Sequence, residues 1–322
     1  MSHLRGSVVV VQAFFRGGYH MINRRAVAKH LVHWLIPPGI QDSILASGLS
    51  QRRLSVSDRA ILARNRTLHN RHRGERCFIL ATGPSIKGQD LTLLRNETCI
   101  AVSNFFVHPD YALIKPRYYC LAPHHPPITE DAWQAWMTEL SAGVGEATMF
   151  FSLVDQQRNT HDGLFANNEI HFLSMGGAWQ RVRTKGVDLT HPVPGPQSVP
   201  VMALLIAIYM GFQSIYLLGC DHDWILHVGN SAHFYNENRH ALNRKNYDEW
   251  LGSDFSSTCQ DYINLWQQYR NIRDSAKLSS TKIYNATDGG LLDVFPRSAY
   301  NTIFSDANND LPRAMLRTES TP

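Results

Sequence analysis

Residues 76–86 read RCFILATGPSI, and this stretch decides the fold. An apolar run from Cys77 to Leu80 changes abruptly into Thr-Gly-Pro-Ser, which is the pattern of a buried strand that runs into a tight turn. Gly83 lets the backbone approach a ligand closely and adopt a positive φ, and Pro84 stiffens the turn behind it. Open α/β sheets usually hold a nucleotide above such a turn, at the carboxyl end of the first strand. An ordinary Gly-Pro turn is the alternative interpretation.

Two further apolar runs end in polar or turn residues. Residues 98–103 lead to Asn104, and residues 117–122 lead to Pro-His-His at 123–125. Three successive strands that deliver such residues at their carboxyl ends indicate a site on one edge of a parallel sheet. The rest of the chain predicts strands at 147–152, 169–174, 214–220 and 281–285, and helices at 55–70, from Thr129, at 198–210 and at 257–275. We therefore predict an α/β protein with a doubly wound, mostly parallel Rossmann-like sheet.

Three blocks of the chain resemble a known bacterial family: residues 74–85 with Asn104, residues 198–221, and residues 283–287. The family is labelled hydroxymethylpterin-diphosphokinase-like, and its fold is shared with the CMP-sialic-acid-dependent sialyltransferases of surface-glycan loci. The matching features are the Gly-Pro-Ser turn, an Asn after the second strand, a helix led by Ser198, and an Ile-Tyr-Leu-x-Gly-x-Asp strand that ends at Asp221. The resemblance extends over the predicted sheet and implies the same fold.

The resemblance also implies which residues hold the nucleotide. In the sialyltransferases, a Gly-Asn-Gly-Pro-Ser turn and the Asn after the second strand bind the cytidine nucleotide, and this chain has Thr where the turn has Asn. On this basis the predicted nucleotide-binding residues are Thr82, Gly83, Pro84, Ser85, Asn104, Gln197, Ser198 and Asp221. Transfer with inversion of the sugar is a further implication of the resemblance.

The triplet Asp221-His222-Asp223 follows the predicted strand at 214–220. Two carboxylates at this spacing could hold Mg²⁺ against a diphosphate, as in metal-dependent sugar transferases. Alternatively, Asp221 accepts a backbone N–H and ties the edge of the sheet together. We favour the second interpretation, without a cofactor or metal, because a CMP-sugar loses a single phosphate that needs no metal clamp.

The predicted lid, residues 222–256, contains four histidines: His222, His227, His233 and His240. Their spacing fits no common zinc site. A histidine suits a different task, since sugar transfer requires a base that removes the proton of the acceptor hydroxyl near neutral pH. Where the related enzymes have their base, ahead of the penultimate helix, this chain has Ser-Ser at 256–257. We therefore predict that His233 is the catalytic base, with His240 as its rival; either could be an ordinary surface histidine.

Aromatic and basic residues add to the predicted site. Tyr235 and several other aromatic residues of the lid suit a sugar or an acceptor. Arg181, Arg183 and Lys185 are predicted to lie in a loop, where they could contact a phosphate or an acidic sugar, or simply be solvated.

Composition is consistent with one main domain. The chain has 322 residues, 43% of them hydrophobic, and no apolar run long enough for a membrane span. The apolar run at 8–15 is interrupted at Arg16 and lacks a cleavage site, so we expect no secretory signal. Four of the five cysteines fall in predicted strands, which favours a reduced, cytoplasmic protein.

Charge is concentrated at the start of the chain. Residues 1–76 hold 13 of the 31 Lys and Arg residues but only three of the 27 Asp and Glu residues. The absence of interleaved aromatic residues argues against nucleic acid. Residues 26–36 combine apolar and basic residues with Trp34, which suits an anionic membrane surface; a helical extension that packs on the domain is the alternative. The predicted domains are 1–73, a basic helical extension; 74–305, the catalytic domain; and 306–322, a tail.

The sequence thus predicts a glycosyltransferase. It would move an acidic sugar of the sialic or Kdo type from a CMP-sugar donor to a glycan or glycolipid acceptor, in bacterial surface-polysaccharide assembly, at the cytoplasmic side of the inner membrane. One alternative is an ATP-dependent diphosphokinase that acts on a pterin-like alcohol with Mg²⁺ at Asp221 and Asp223. The other is a nucleotide-binding accessory protein without catalytic activity.

Overall fold

The computed structural model describes residues 54–125, 128–226, 233–235 and 254–305. The basic segment up to residue 53, with its predicted membrane contact, lies outside these residues, and so do His227, His240 and the predicted tail. In the described part, the strands are β1 (Arg76–Leu80), β2 (Cys99–Val102), β3 (Tyr118–Cys120), β4 (Thr148–Ser152), β5 (Ile170–Leu173), β6 (Ser214–Leu218) and β7 (Lys282–Asn285). The α-helices are α1 (Val56–Ala63), α2 (Tyr111–Ile114), α3 (Glu130–Gly143), α4 (Gln156–Asn159), α5 (Trp179–Lys185), α6 (Val199–Tyr209), α7 (Phe255–Ala276) and α8 (Thr302–Ser305).

The strands form one parallel sheet in the order β5-β4-β3-β2-β1-β6-β7. From β1 the chain adds strands outward to β5 and then crosses back, so that β6 pairs with the other side of β1. The strand order therefore reverses between β1 and β6, and a crevice at the carboxyl ends of the strands is expected at this point. This arrangement confirms the predicted α/β, doubly wound, Rossmann-like fold.

Apolar helices cover both faces of the sheet, which buries the strands on both sides. On one face, α6 packs against the sheet with ten of its eleven residues buried, which explains why its sequence is apolar all round. On the other face, α3 buries Trp133, Trp136 and Met137. Thr129 caps α3 by accepting the N–H of Ala132.

One segment predicted as a loop is helical, and the start of the described chain packs into the core. Residues 181–185 are helical and belong to α5, so the predicted loop was wrong. Arg183 donates to the side chain of Asn271 at 3.2 Å, and Arg181 lies 3.8 Å from Asp188. Both side chains therefore contact polar residues of the domain itself. At the start of the described chain, α1 and the turn after it pack into the core, where Leu62 and Leu68 are fully buried.

None of the helices in the described part of the chain combines the length and the apolar character that crossing a bilayer requires. All five cysteines are free thiols, and the four that fall in or beside strands are buried. Burial raises the pKa of the thiols of Cys99 and Cys220, so both behave as small apolar side chains.

Candidate functional site

The turn after β1 lies at the point where the strand order reverses. Gly83 has φ −62° and ψ 152°, so the positive φ that the sequence suggested was wrong. Glycine is required here for another reason. A Cβ at this position would lie 1.9 Å from Oδ2 of Asp221 and 2.5 Å from the carbonyl oxygen of Gly219. The Gly83 N–H donates to that same carbonyl at 2.8 Å, so the loops after β1 and β6 are in direct contact.

Asp221 holds this contact together. Its Oδ1 accepts the backbone N–H of Ser85 at 3.0 Å, and its Oδ2 accepts the Ser85 hydroxyl at 2.8 Å. Burial raises the pKa of the Asp221 carboxyl, although the two bonds from Ser85 act in the opposite direction. The backbone of Asp221 is also enclosed, since its carbonyl accepts the N–H of Leu291 at 2.8 Å and Gly290 packs against it. Asp221 is thus an acceptor that ties the edge of the sheet.

A magnesium ion does not fit this arrangement well. Asp221 is only 5% exposed, and its Oδ2 faces the backbone of Gly83 rather than open space. Among the described residues, no group of three or more His, Cys, Asp or Glu side chains is placed to hold a metal ion. The predicted alternative, with Asp221 and Asp223 as ligands, therefore requires Asp221 to leave Ser85.

A second pair of predicted residues, Thr82 and Asn104, contacts the described part of the lid. Oγ1 of Thr82 lies 3.1 Å from Nδ1 of His233, and the Thr82 carbonyl accepts the N–H of Phe234 at 2.9 Å. Nδ2 of Asn104 donates to the Tyr235 hydroxyl at 3.1 Å. Residues 233–235 therefore lie directly across the carboxyl ends of β1 and β2.

The ring contacts of these three lid residues fix their arrangement. The rings of His233 and Tyr235 are stacked, with centroids 4.9 Å apart and an angle of 11°. Phe234, the residue between them in sequence, is 7% exposed and packs edge-on against Phe105 and His108. An apolar anchor thus holds an imidazole and a phenol at the sheet edge.

The side chain of Asn104 has one partner in α3 and one in the lid. Its Oδ1 accepts the indole N–H of Trp136 at 2.6 Å, so the amide nitrogen is directed towards Tyr235. Trp136 lies on the buried face of α3, and the sequence did not reveal its bond to Asn104. The Tyr235 contact was equally hidden, although the aromatic content of the lid pointed to the segment.

Gln197 and Ser198 lie at the start of α6, which also begins at the carboxyl edge of the sheet. The backbone N–H of Gln197 donates to the side chain of Gln268, and its amide donates to Asp261, so its hydrogen bonds run to α7. Ser198 is the N-cap residue, but its side chain caps no N–H of the first turn. The structure thus brings Thr82, Asn104 and His233 into direct contact, whereas the hydrogen bonds of Gln197 leave it outside this cluster.

His222 turns away from the edge of the sheet. It has a left-handed backbone, with φ +48°, and its Nε2 lies 2.6 Å from the Tyr269 hydroxyl. Burial lowers the pKa of His222 to about 4, so this imidazole stays neutral around neutral pH. Its neighbours are the rings of Trp224 and Trp266, and it packs as a part of the apolar core below α7.

Comparisons with solved structures return sialyltransferases. The complex of the sialyltransferase CstII from Campylobacter jejuni with cytidine-5'-monophosphate is 16% identical, covers 71% of this chain and 86% of that chain, and has a TM-score of 0.44. The complex of the same enzyme with CMP-3FNeuAc is 15% identical, covers 70% and 87%, and has a TM-score of 0.42. A complex of CST-II with a trisaccharide acceptor and CMP is 16% identical, covers 70% and 87%, and has a TM-score of 0.38.

No family model matches the chain, and no curated protein matches it. The resemblance to a hydroxymethylpterin-diphosphokinase-like family is thus not supported by any of the comparisons. The fold assignment follows from the strand order itself.

Proposed function

We propose that this protein is a glycosyltransferase that moves an acidic sugar of the sialic or Kdo type from a CMP-sugar donor to a glycan acceptor. The observation that carries the proposal is the 3.1 Å contact between Nδ1 of His233 and Oγ1 of Thr82. It puts an imidazole beside a residue of the nucleotide turn, at the point where α/β sheets bind nucleotides. Asn104 supports it from the next strand, through Tyr235.

The proposed reaction needs a base and a nucleotide site within reach of each other. The acceptor hydroxyl oxygen forms a bond to the anomeric carbon as the bond from that carbon to the phosphate oxygen of CMP breaks. CMP leaves with the bonding electron pair, and the hydroxyl proton passes to His233. An Nδ1–H that donates to Thr82 fixes the tautomer in which Nε2 is the basic atom.

The other predicted residues have supporting tasks in this proposal. Ser85 and Asp221 set the shape of the turn, since the Ser85 N–H and hydroxyl both donate to the Asp221 carboxylate. The start of α6 at Ser198 lies at the same edge, where the positive end of the helix dipole favours an anionic group. No step is assigned to a metal, because the enclosed carboxylate of Asp221 does not suit a magnesium ligand.

The setting is proposed as well. A CMP-activated acidic sugar would serve bacterial surface-polysaccharide assembly on the cytoplasmic side of the inner membrane. The basic N-terminal arm would contact anionic lipids there. Deletion of residues 1–53 should then release the protein from anionic vesicles and leave transfer to a soluble acceptor analogue intact. Equal vesicle binding with and without the arm would contradict this part.

Nucleotide-dependent thermal stabilisation tests the proposal most directly. CMP, CDP, ATP and UDP are compared, each with Mg²⁺ and with EDTA, and CMP release from CMP-sugars is then measured with a glycan acceptor. We expect stabilisation by CMP in EDTA and transfer that survives EDTA. Stabilisation by ATP with Mg²⁺ alone, together with AMP release, would favour the diphosphokinase.

The same measurements separate the third hypothesis. Stabilisation by CMP without any transfer to a range of acceptors would identify a nucleotide-binding accessory protein. An Asn104→Asp variant serves as the control, because it keeps the acceptor for Trp136 but loses the amide donor. Equal stabilisation of this variant and the wild type would remove Asn104 from the site.

A further inference from the structure

A groove lies at the amino edge of the sheet, opposite the candidate nucleotide site. Its volume is about 570 Å³, and it lies between residues 95–98, which lead into β2, and residues 112–117, which form the end of α2 and the start of its connection to β3. Parallel strands begin at one edge of the sheet and end at the other, so this groove and the Thr82–Asn104 pair are at opposite ends of the same strands. None of the groove residues belongs to the proposed catalytic machinery.

The side chains around the groove are strongly basic. Arg95, Lys115 and Arg117 line it, and Glu97 is the acidic residue among them. Both oxygens of Glu97 bond to Arg76, at 3.0 Å to Nε and 2.5 Å to Nη2, which neutralises its charge. The groove thus carries an excess of three positive charges.

These cations have no evident task within the domain. The side chains of Arg95 and Lys115 make no hydrogen bond or ion pair to another described residue, and both are exposed. Lys115 also ends α2 in a left-handed conformation, φ +48°, which glycine or asparagine usually provides. Arg117 lines the groove at the start of β3, and its guanidinium lies over the Tyr118 ring, 5.7 Å from its centroid.

We propose that this groove binds a phosphate ester. The planar donor fork of an arginine matches phosphate oxygens, and a lysine adds a compact charge. A volume of about 570 Å³ falls within the usual range for small-molecule sites and exceeds what an inorganic ion fills. The partly buried side chain of Leu113 gives the lining an apolar part beside these charges, as the organic part of an ester requires. The ester could come from the headgroup of an anionic phospholipid or from a soluble metabolite.

Binding measurements on the full chain distinguish these sources. The first probe is glycerol 3-phosphate, whose binding is measured by titration calorimetry with glycerol as the uncharged control. The second probe is phosphatidylcholine vesicles with and without phosphatidylglycerol. The test variant is Arg95→Gln/Lys115→Gln/Arg117→Gln. The matched control, Arg270→Gln/Lys277→Gln/Lys282→Gln, removes three exposed positive charges elsewhere on the domain. The N-terminal arm is present in every sample and contributes equally to each.

We expect the test variant to bind about tenfold or more weakly than the wild type and the control variant. A loss with glycerol 3-phosphate identifies a soluble ester, and a loss confined to the phosphatidylglycerol vesicles identifies the lipid. Unfolding temperatures should differ little, since neither Arg95 nor Lys115 has a structural partner among the described residues and Arg117 loses only its contact with the Tyr118 ring. The Asn104→Asp variant at the other edge should bind glycerol 3-phosphate as the wild type does. Equal binding by the test and control variants, or no binding by the wild type to either probe, would overturn the proposal.

Discussion

Two pairs of residues at neighbouring strand ends differ in what their polar atoms contact. Ser85 and Asp221 bond to each other through two hydrogen bonds and close the turn after β1 against the loop after β6. Thr82 and Asn104 contact residues of the lid instead, at 3.1 Å in both cases. All four were predicted to bind the nucleotide, so a single sequence pattern covers two different physical roles.

The difference follows from the direction of the chain through the turn. Ser85 lies beyond Gly83, where the chain has already bent towards the loop after β6. Its N–H and its hydroxyl therefore contact the buried carboxylate of Asp221. Thr82 still lies above the end of β1, beside Asn104 at the end of β2. A ligand at this edge would therefore compete with the lid for the amide of Asn104. The contact between Thr82 and His233 and the Ser85–Asp221 pair would stay in place.

The largest expected effect is the loss of the folded protein in Gly83→Val. A Cβ would lie 1.9 Å from Oδ2 of Asp221 and 2.5 Å from the Gly219 carbonyl, and two loops would have to separate. Destabilisation above about 4 kcal/mol is expected, since such a clash breaks the buried Asp221 contacts as well. Urea unfolding of the purified variant measures it.

Gly88 provides the matched control for Gly83→Val. It lies at the end of the same short turn, Pro84–Gly88, and a Cβ there would meet no atom within 4 Å. Gly88→Ala should therefore change the free energy of unfolding by less than about 1 kcal/mol. A folded Gly83→Val protein that merely loses CMP binding would show that the glycine serves the nucleotide and not Asp221.

The next largest effect is expected for His233→Ala, in the transfer rate. Removal of a general base lowers a rate by roughly 10² to 10⁴. CMP affinity should change only a few-fold, because the Thr82 carbonyl keeps its bond from the Phe234 N–H. The wild-type rate should also fall in acid, since only a neutral imidazole accepts a proton, and the variant should lose this dependence.

His240→Ala is the control for His233→Ala, although His240 lies outside the described residues. A large loss of rate in His240→Ala alone would move the role of base to that residue. If neither variant slows transfer more than a few-fold, the contact between His233 and Thr82 serves only to hold the lid. Asp248 and Asp254 would then be the next candidates for the base.

Sequence patterns were sufficient for the fold. The apolar runs placed β1, β2, β4 and β6 within two residues of their observed ends, because buried parallel strands are short and continuously apolar. Helix α5 was missed because only Val182 of its seven residues is buried and basic residues occupy three positions. A helix with so narrow an apolar face leaves little periodicity to detect.

The sequence did not predict the different contacts of the Ser85–Asp221 and Thr82–Asn104 pairs, because they depend on contacts between distant segments. Asp221 lies 136 residues from Ser85, and Tyr235 lies 131 residues from Asn104. Periodicity predicts where strands end, but it does not predict which loop returns over them. The need for glycine at 83 was predicted correctly and explained wrongly, since a carboxylate of the protein occupies the space that was assigned to a ligand.

A smaller effect is expected for Asn104→Asp, in CMP affinity. The aspartate keeps an acceptor for the Trp136 indole but no longer donates to Tyr235 or to a nucleotide. Loss of one hydrogen bond to a ligand should weaken CMP about tenfold, which equals 1.4 kcal/mol. Tyr235→Phe is the comparison, because it removes the lid partner and leaves Asn104 intact. If CMP replaces Tyr235 at this amide, Tyr235→Phe should bind CMP as well as the wild type or better, and tenfold weaker binding would show that the phenol belongs to the nucleotide site.

The smallest effect is expected for Asp221→Asn. An asparagine can still accept the Ser85 N–H, and its amide can donate to the Ser85 hydroxyl, so the variant should lose less than about 1 kcal/mol at neutral pH. Burial raises the pKa of Asp221 in the folded protein, so between the pKa of the unfolded chain and that of the folded chain only the folded state keeps the proton. The stability of the wild type relative to the variant should therefore decrease as the pH rises through this window, and urea unfolding of both proteins from acid to neutral pH measures it. Transfer should stay within a few-fold of the wild type, whereas its complete loss in a stable Asp221→Asn protein would place this carboxylate in the chemistry and end the division between the two pairs.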